Sequence, residues 1–132
     1  WREVRARYWG NITLVDRSVG AILNALEENG LADDTIVVYT SDHGEMAGDH
    51  SILGKTVMYE EAIRVPMLLR IPALGREQRR IAGNFSHIDL LPTLLELMGQ
   101  PIPEDLQGES RALVQVGIQG TARRRYRNHA SV

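Results

Sequence analysis

Residues 35–45 run Thr-Ile-Val-Val-Tyr-Thr-Ser-Asp-His-Gly-Glu, a β-branched apolar stretch that stops at a polar loop containing glycine. Such a stretch predicts a buried strand over residues 35–40. Ligands of α/β sheets gather beyond the carboxyl ends of strands, so Asp42 and His43 stand where chemistry is usually placed. Neighbouring side chains on a straight strand point to opposite faces. Both can therefore reach one ion only if the chain bends, and Gly44 is expected to allow the bend. A carboxylate and an imidazole are good donors for a divalent cation. Taken alone, Asp-His-Gly is equally readable as a turn with a surface histidine.

Upstream, Ile12, Val15, Val19, Ile22, Leu23 and Leu26 recur at spacings of three and four, which predicts an amphipathic helix over residues 3–29. Gly30 is placed to end it in a left-handed turn. Tyr8 and Trp9 are expected to be packing residues and Asp16 an ordinary helix carboxylate. Asp33 and Asp34 fall in a turn linking the helix to the strand. Downstream, a helical turn over residues 58–63 leads into a second strand over 65–71, with Pro66 at its start, where a missing N–H costs little. Residues 73–83, with Gly75, Arg76, Glu77, Arg79 and Arg80, read as an exposed connection. Asp89 is a candidate N-cap for a helix that tolerates Pro92 in its first turn and ends before Gly99. His87 and Asp89 match a metal pair by composition only, and capping accounts for Asp89 without one.

The loop after the first strand continues Met46-Ala47-Gly48-Asp49-His50-Ser51-Ile52-Leu53-Gly54-Lys55, followed by Tyr59-Glu60-Glu61 and Arg64-Val65-Pro66. Ser-Asp-His-Gly-Glu, then Gly-Asp-His, then Gly-Lys in this order resembles the C-terminal part of the catalytic domain of the sulfatases, within the alkaline phosphatase superfamily. The likeness extends from about Tyr8 to Gly108. It implies an α/β chain with a partial alkaline phosphatase-like fold, a central sheet flanked by helices. Residues 1–108 would form a partial catalytic domain and residues 109–132 a basic tail.

The resemblance also implies roles. Asp42 and His43 become ligands of a divalent cation, usually calcium in the family, with magnesium, manganese and zinc as alternatives that suit His43 at least as well. Lys55 becomes the cation that contacts the sulfate of a sulfate-ester small molecule or glycan, and His50 a second group near the substrate. A fixed metal and ammonium around a sulfate ester stabilise charge developing on the leaving oxygen. For His50 a loop histidine bonded to backbone is an open alternative. Glu45 is either a partner that orients His43 or a solvated charge.

Sulfatases of this type use a formylglycine made from a Cys/Ser-x-Pro-x-Arg motif. These 132 residues contain no cysteine, and none of the prolines, 66, 72, 92, 101 and 103, stands in such a motif. The paired aspartates that complete the family's metal site are also absent. The chain opens at Trp1 without an initiator Met, and the expectation is a fragment of a larger hydrolase, catalytically incomplete alone. A phosphonate monoester or phosphodiester hydrolase of the same superfamily shares these motifs and is the alternative enzyme. A noncatalytic binding or assembly module is the alternative of another class. A formal charge of −2 indicates neither nucleic acid nor membrane as a partner. Arg111, Arg123, Arg124, Arg125 and Arg127 make the tail basic, although its Gly and Ser content and terminal position favour an incidental segment. A domain cut short exposes apolar helix faces and sheet edges, so self-association is expected. The compartment is left open.

Overall fold

Helix α1, Arg2–Glu28, matches the predicted helix to within a residue at each end. In the computed structural model, which describes residues 1–75 and 77–112, its C-terminus is closed as the sequence requires. Gly30 takes φ +67°, its N–H donates to Glu27 O at 3.0 Å and the Leu31 N–H donates to Leu26 O at 2.9 Å. That pair of bonds satisfies carbonyls that any helix end leaves open. The apolar stripe is only partly covered. Val19, Leu23 and Leu26 are half-buried, whereas Ile12, Val15 and Ile22 are exposed. Tyr8 and Trp9, expected to pack, are also exposed, because no described element lies over the first half of the stripe.

A 3₁₀ turn at Ala32–Asp34 carries the chain into strand β1, Val37–Thr40. Asp33 lies 3.8 Å from Arg70, the last residue of strand β2, Met67–Arg70. The strands pair antiparallel, with Val37 opposite Arg70 and Thr40 opposite Met67, and Thr40 Oγ1 donates to Pro66 O at 2.9 Å. Both strands are shorter than their apolar runs. The expectation of a buried strand over residues 35–40 is corrected: β1 is half-buried, with Tyr39 exposed beside exposed Leu68. The described sheet has two strands, and the exposed Tyr39 and Leu68 are paired across it.

Between the strands lies the short helix α2, Glu60–Ile63, at the predicted turn. The chain divides into two compact units after residue 76. In the first, Met46, Ala62 and Ile71 are buried. No described helix is long and apolar enough to cross a membrane.

The second unit is built on helix α3, Leu90–Leu97, preceded by a 3₁₀ turn at His87–Asp89. Gly99, at φ +68°, ends α3 with the same double bond seen at α1: Gly99 N–H to Glu96 O and Gln100 N–H to Leu95 O. Asp89 stands at the N-cap position, but the capping role is corrected, for its carboxylate makes no cap bond. It accepts instead from the Glu109 N–H at 2.9 Å and from Arg111 Nε at 3.3 Å, while Thr93 Oγ1 accepts from the Arg111 N–H at 3.0 Å. The backbone at Asp89 is already helical, which turns its side chain away from the amides it would cap. Gly108 makes the approach possible, since a Cβ there would sit 1.9 Å from Ile88 O. Residues 109–112 are thereby tied to the start of α3. Residues 113–132, which hold most of the basic tail, lie outside the described residues.

The Glu109 N–H bond first, and the Arg111 guanidinium after it, lower the Asp89 pKa below the ordinary aspartate value. A lowered folded pKa stabilises the ionised state. The contribution is complete above the unfolded aspartate value, declines as pH falls through it, and is gone below the folded value. Amide protection at Glu109 and Arg111 should therefore fall over that acid window in the full chain, and Asp89→Asn should remove the pH dependence. Unchanged pH dependence in Asp89→Asn would refute this role for the carboxylate.

Candidate functional site

Beyond β1 the backbone turns at Ser41, whose hydroxyl donates to His43 O at 2.8 Å. This turn brings consecutive side chains to one side. His43 Nε2 lies 3.2 Å from Asp42 Oδ2, and the His43 N–H donates to Asp42 Oδ1 at 2.9 Å. That backbone bond is the main reason the Asp42 pKa is lowered, so the group is anionic at neutral pH. His43 Nδ1 is 2.9 Å from Gly44 O. A carbonyl can only accept, so a neutral ring carries its proton on Nδ1 and presents the Nε2 lone pair. Lone pair and carboxylate oxygen then face each other at contact distance. Such an arrangement is favourable only with a cation or a proton between or beside them. Anionic oxygen plus imidazole nitrogen is the donor chemistry of a divalent site. Among the described residues no third His, Cys, Asp or Glu joins the pair.

Gly44 meets a requirement beyond the expected bend. Its φ is not left-handed; the constraint is proximity. Its N–H donates to Ala62 O at 2.7 Å, and a Cβ would lie 1.9 Å from Glu61 O. Gly44 is thus the point at which the loop after β1 touches α2, with buried Ala62 against it.

The loop between residues 46 and 54 is closed at its base. The Met46 N–H donates to Gly54 O at 2.9 Å, and the Gly54 N–H donates to Glu45 Oε1 at 2.6 Å. Glu45 therefore neither orients His43 nor stands as a free solvated charge: it clamps the loop. Met46, fully buried, anchors the same point, which supplies about 2 kcal/mol of burial. Inside the closure Ala47, His50 and Ser51 all have left-handed backbone, with φ of 46°, 51° and 60°. Each costs about 1 kcal/mol or more in a residue that carries a Cβ. Strain concentrated in one loop marks it as a place where geometry is held for a reason outside folding.

His50 is exposed, and its ring stacks on Tyr59 with centroids 4.2 Å apart and planes inclined by 9°. Among the described residues the ring makes no backbone hydrogen bond, and the contact that holds it is the stacking on Tyr59. Lys55 follows Gly54 directly, its position set by the closure at Met46 and Glu45. It is exposed and makes no hydrogen bond or ion pair among the described residues. Asp42 and His43 are thus brought together, while among the described residues His50 and Lys55, placed by the adjoining loop, make no hydrogen bond or ion pair to them. Sequence reasoning missed Arg5, whose Nε donates to Ala47 O at 3.0 Å and whose Nη2 lies 2.5 Å from Asp49 Oδ1. No local pattern could signal a partner across 42 residues. Tyr59 was visible only as part of Tyr-Glu-Glu.

The Gly44 contact yields a direct expectation. Gly44→Ala must separate the loop from α2, and overpacking of this kind costs about 1–3 kcal/mol. A urea titration should show a loss in that range with the secondary-structure content unchanged, and a midpoint equal to that of the native chain would refute the close approach.

Comparison with known proteins agrees with this geometry. Residues 2–100 match the family model Sulfatase. The multifunctional alkaline phosphatase superfamily protein of Trinickia caryophylli is 40% identical over 110 residues, spanning 83% of this chain and 21% of the relative. The N-acetylglucosamine-6-O-sulfatase of Bacteroides thetaiotaomicron is 38% identical over 110 residues, 83% of this chain and 20% of the relative. Among solved structures, the phosphonate monoester hydrolase of Silicibacter pomeroyi superposes with a TM-score of 0.70 at 38% identity, over 81% of this chain and 21% of that one. The chain thus spans about a fifth of the length of these relatives. Its fold is a part of the alkaline phosphatase-like fold, and the chain belongs to the sulfatase family.

Proposed function

We propose that this chain carries part of the active site of a metal-dependent sulfate-ester hydrolase, with Asp42 and His43 as two ligands of a divalent cation and Lys55 as the cation facing the sulfate. The supporting observation is the 3.2 Å approach of His43 Nε2 to Asp42 Oδ2, with Nδ1 committed to Gly44 O. Calcium is the family's usual ion, and the imidazole suits magnesium, manganese or zinc as well. The bound ion would supply positive charge where negative charge develops on the ester oxygens.

This chain's own residues supply the remainder. Asp42 offsets the ion's charge, and the Nδ1–H···O=C bond holds the His43 ring so that Nε2 faces the same side. Lys55 adds a compact positive charge suited to a tetrahedral oxyanion. Stacked on Tyr59, His50 offers a donor to an oxygen of the same group. The 132 residues hold no formylglycine motif, and covalent attack is not replaced by electrostatic stabilisation. Turnover by this chain alone is therefore expected to be absent, and two protein donors, against about six oxygens for calcium, should bind an ion only weakly.

A second enzyme reading has its own support in the likeness to a phosphonate monoester hydrolase. Asp42, His43 and Lys55 would serve either oxyanion, so this chain's residues do not separate the two. For the assembly-module alternative the support is the exposed stripe of Ile12, Val15 and Ile22 on α1. That stripe is expected to be covered by a second copy in dilute solution, giving a dimer or larger species in light scattering. A monomer across a wide concentration range, with a cooperative melt, would refute self-association.

Manganese is the probe for the ligand pair, because its unpaired electrons broaden nearby nuclei even when binding is weak. Substoichiometric Mn²⁺ should broaden the resonances of residues 41–45 selectively, and Asp42→Asn should abolish the effect. Uniform broadening, or broadening that survives in Asp42→Asn, would overturn the ligand assignment.

A further inference from the structure

The strained loop has three non-glycine residues in left-handed backbone, and its internal bonds do not hold all of it. Gly48 N–H donates to Ile52 O, Asp49 N–H to Met46 O, Ser51 N–H to Gly48 O and Ile52 N–H to Asp49 O, all between 2.8 and 3.1 Å. These bonds leave the carbonyl of Ala47 and the carboxylate of Asp49, one on each side of Gly48, to an outside partner. Arg5 takes both: Nε donates to Ala47 O at 3.0 Å and Nη2 donates to Asp49 Oδ1 at 2.5 Å.

Trp1 stands four residues earlier, on the same side of the chain's first turn. Its ring lies against Gly48, where a Cβ would sit 2.6 Å from the indole. The start of α1 is thus a backing for the loop: an indole against its glycine and a guanidinium fork across the kink. On the far side of Gly48, the next residue but one is His50, whose ring is stacked on Tyr59.

We propose that Arg5 is a positioning residue: by bridging Ala47 O and Asp49 it holds the left-handed loop that presents His50 to Tyr59 and leads to Lys55. This assignment rests on the proposed oxyanion site only for its catalytic meaning. The loop geometry stands by itself. Arginine suits the task because its planar fork sends separate N–H groups to two acceptors, whereas a lysine ammonium is a single point charge. An exposed ion pair would by itself contribute little. The additional carbonyl bond fixes the backbone on the other side of Gly48, which a charge pair does not do.

The test uses the full chain and nuclear magnetic resonance. The native loop should show His50 ring protons shifted by the ring current of Tyr59 and slow amide exchange at residues 48, 49, 51 and 52. Arg5→Ala should move the His50 ring signals toward unstructured values and speed exchange at those amides by tenfold or more, with the helical signal of α1 intact. Arg5→Lys should fall between, since it keeps a charge for Asp49 and loses the bond to Ala47 O. Asp49→Asn, which leaves Arg5 in place, should loosen the same amides, and it decides the matter if Arg5→Ala fails to fold. Arg7→Ala, which removes only the exposed Arg7–Glu3 pair of the same helix, is the control and should change nothing in the loop.

Native-like His50 shifts and exchange in both Arg5→Ala and Asp49→Asn would overturn the assignment, as would equal loosening by Arg7→Ala. Inorganic sulfate separates this from the functional reading. If sulfate moves the Lys55 and His50 signals in the native chain, Arg5→Ala should weaken that response at least severalfold and Arg5→Lys by less. If sulfate moves neither, the oxyanion reading fails, while the exchange and ring-current measurements still decide the role of Arg5.

Discussion

Glu45 and buried Met46 close the base of the loop after β1, and the ring they form holds the strained Ala47, His50 and Ser51 and ends at the residue before Lys55. The carboxylate of Glu45 accepts the Gly54 N–H while Met46 gives its own N–H to Gly54 O. Two bonds at one point convert a chain excursion into a fixed ring. Inside it three residues with Cβ atoms adopt left-handed backbone, which they resist intrinsically. The opposing contributions include the apolar burial of Met46, the carboxylate bond of Glu45, the loop's own backbone bonds, and the Arg5 fork.

The Asp42–His43 pair depends on a different constraint. Consecutive residues converge because Ser41 pulls the chain round by donating to His43 O, and the Asp42 carboxylate is steadied by the very next amide. Gly44 then has to pass under the carbonyl of Glu61, where no side chain would fit. α2 therefore acts through its backbone, as a surface against which the loop is pressed. The side chains that face outward from this junction, Asp42 and His43, remain open to a ligand.

Much of this was legible from the residues alone, and the remainder was hidden for physical reasons. The apolar period of α1 and Gly30 at its end specified a helix with a left-handed cap, since both signals are local. The Ser-Asp-His-Gly-Glu segment marked the turn at which Asp42 and His43 converge for the same reason. Burial of β1 was not legible, because burial depends on how many strands and layers surround a strand. Nor was the work of Glu45, Arg5 and Asp89. Each is a charged residue whose partner is a backbone group distant in sequence, at Gly54, Ala47 and Glu109 respectively. Local pattern gave Asp89 a capping role that its helical backbone angles exclude. The close approach of Gly44 to Glu61 was hidden, since a glycine required for close approach looks the same in sequence as one that permits a bend.

Under the proposed reading, the charges carried here are the part of the chemistry common to sulfate and phosphonate esters. One carboxylate and one neutral imidazole leave a bound divalent ion with a net positive charge, and Lys55 adds another. That sum attracts any tetrahedral oxyanion and discriminates weakly among them. Discrimination between them needs a nucleophile of definite chemistry or contacts to the group that replaces an ester oxygen, because a phosphonate monoester and a sulfate monoester each carry one negative charge. The relatives that share this segment include both an N-acetylglucosamine-6-O-sulfatase and a phosphonate monoester hydrolase at the same 38% identity. On the proposed reading the segment holds what the two reactions have in common, which is fixed electrostatic stabilisation of oxygen.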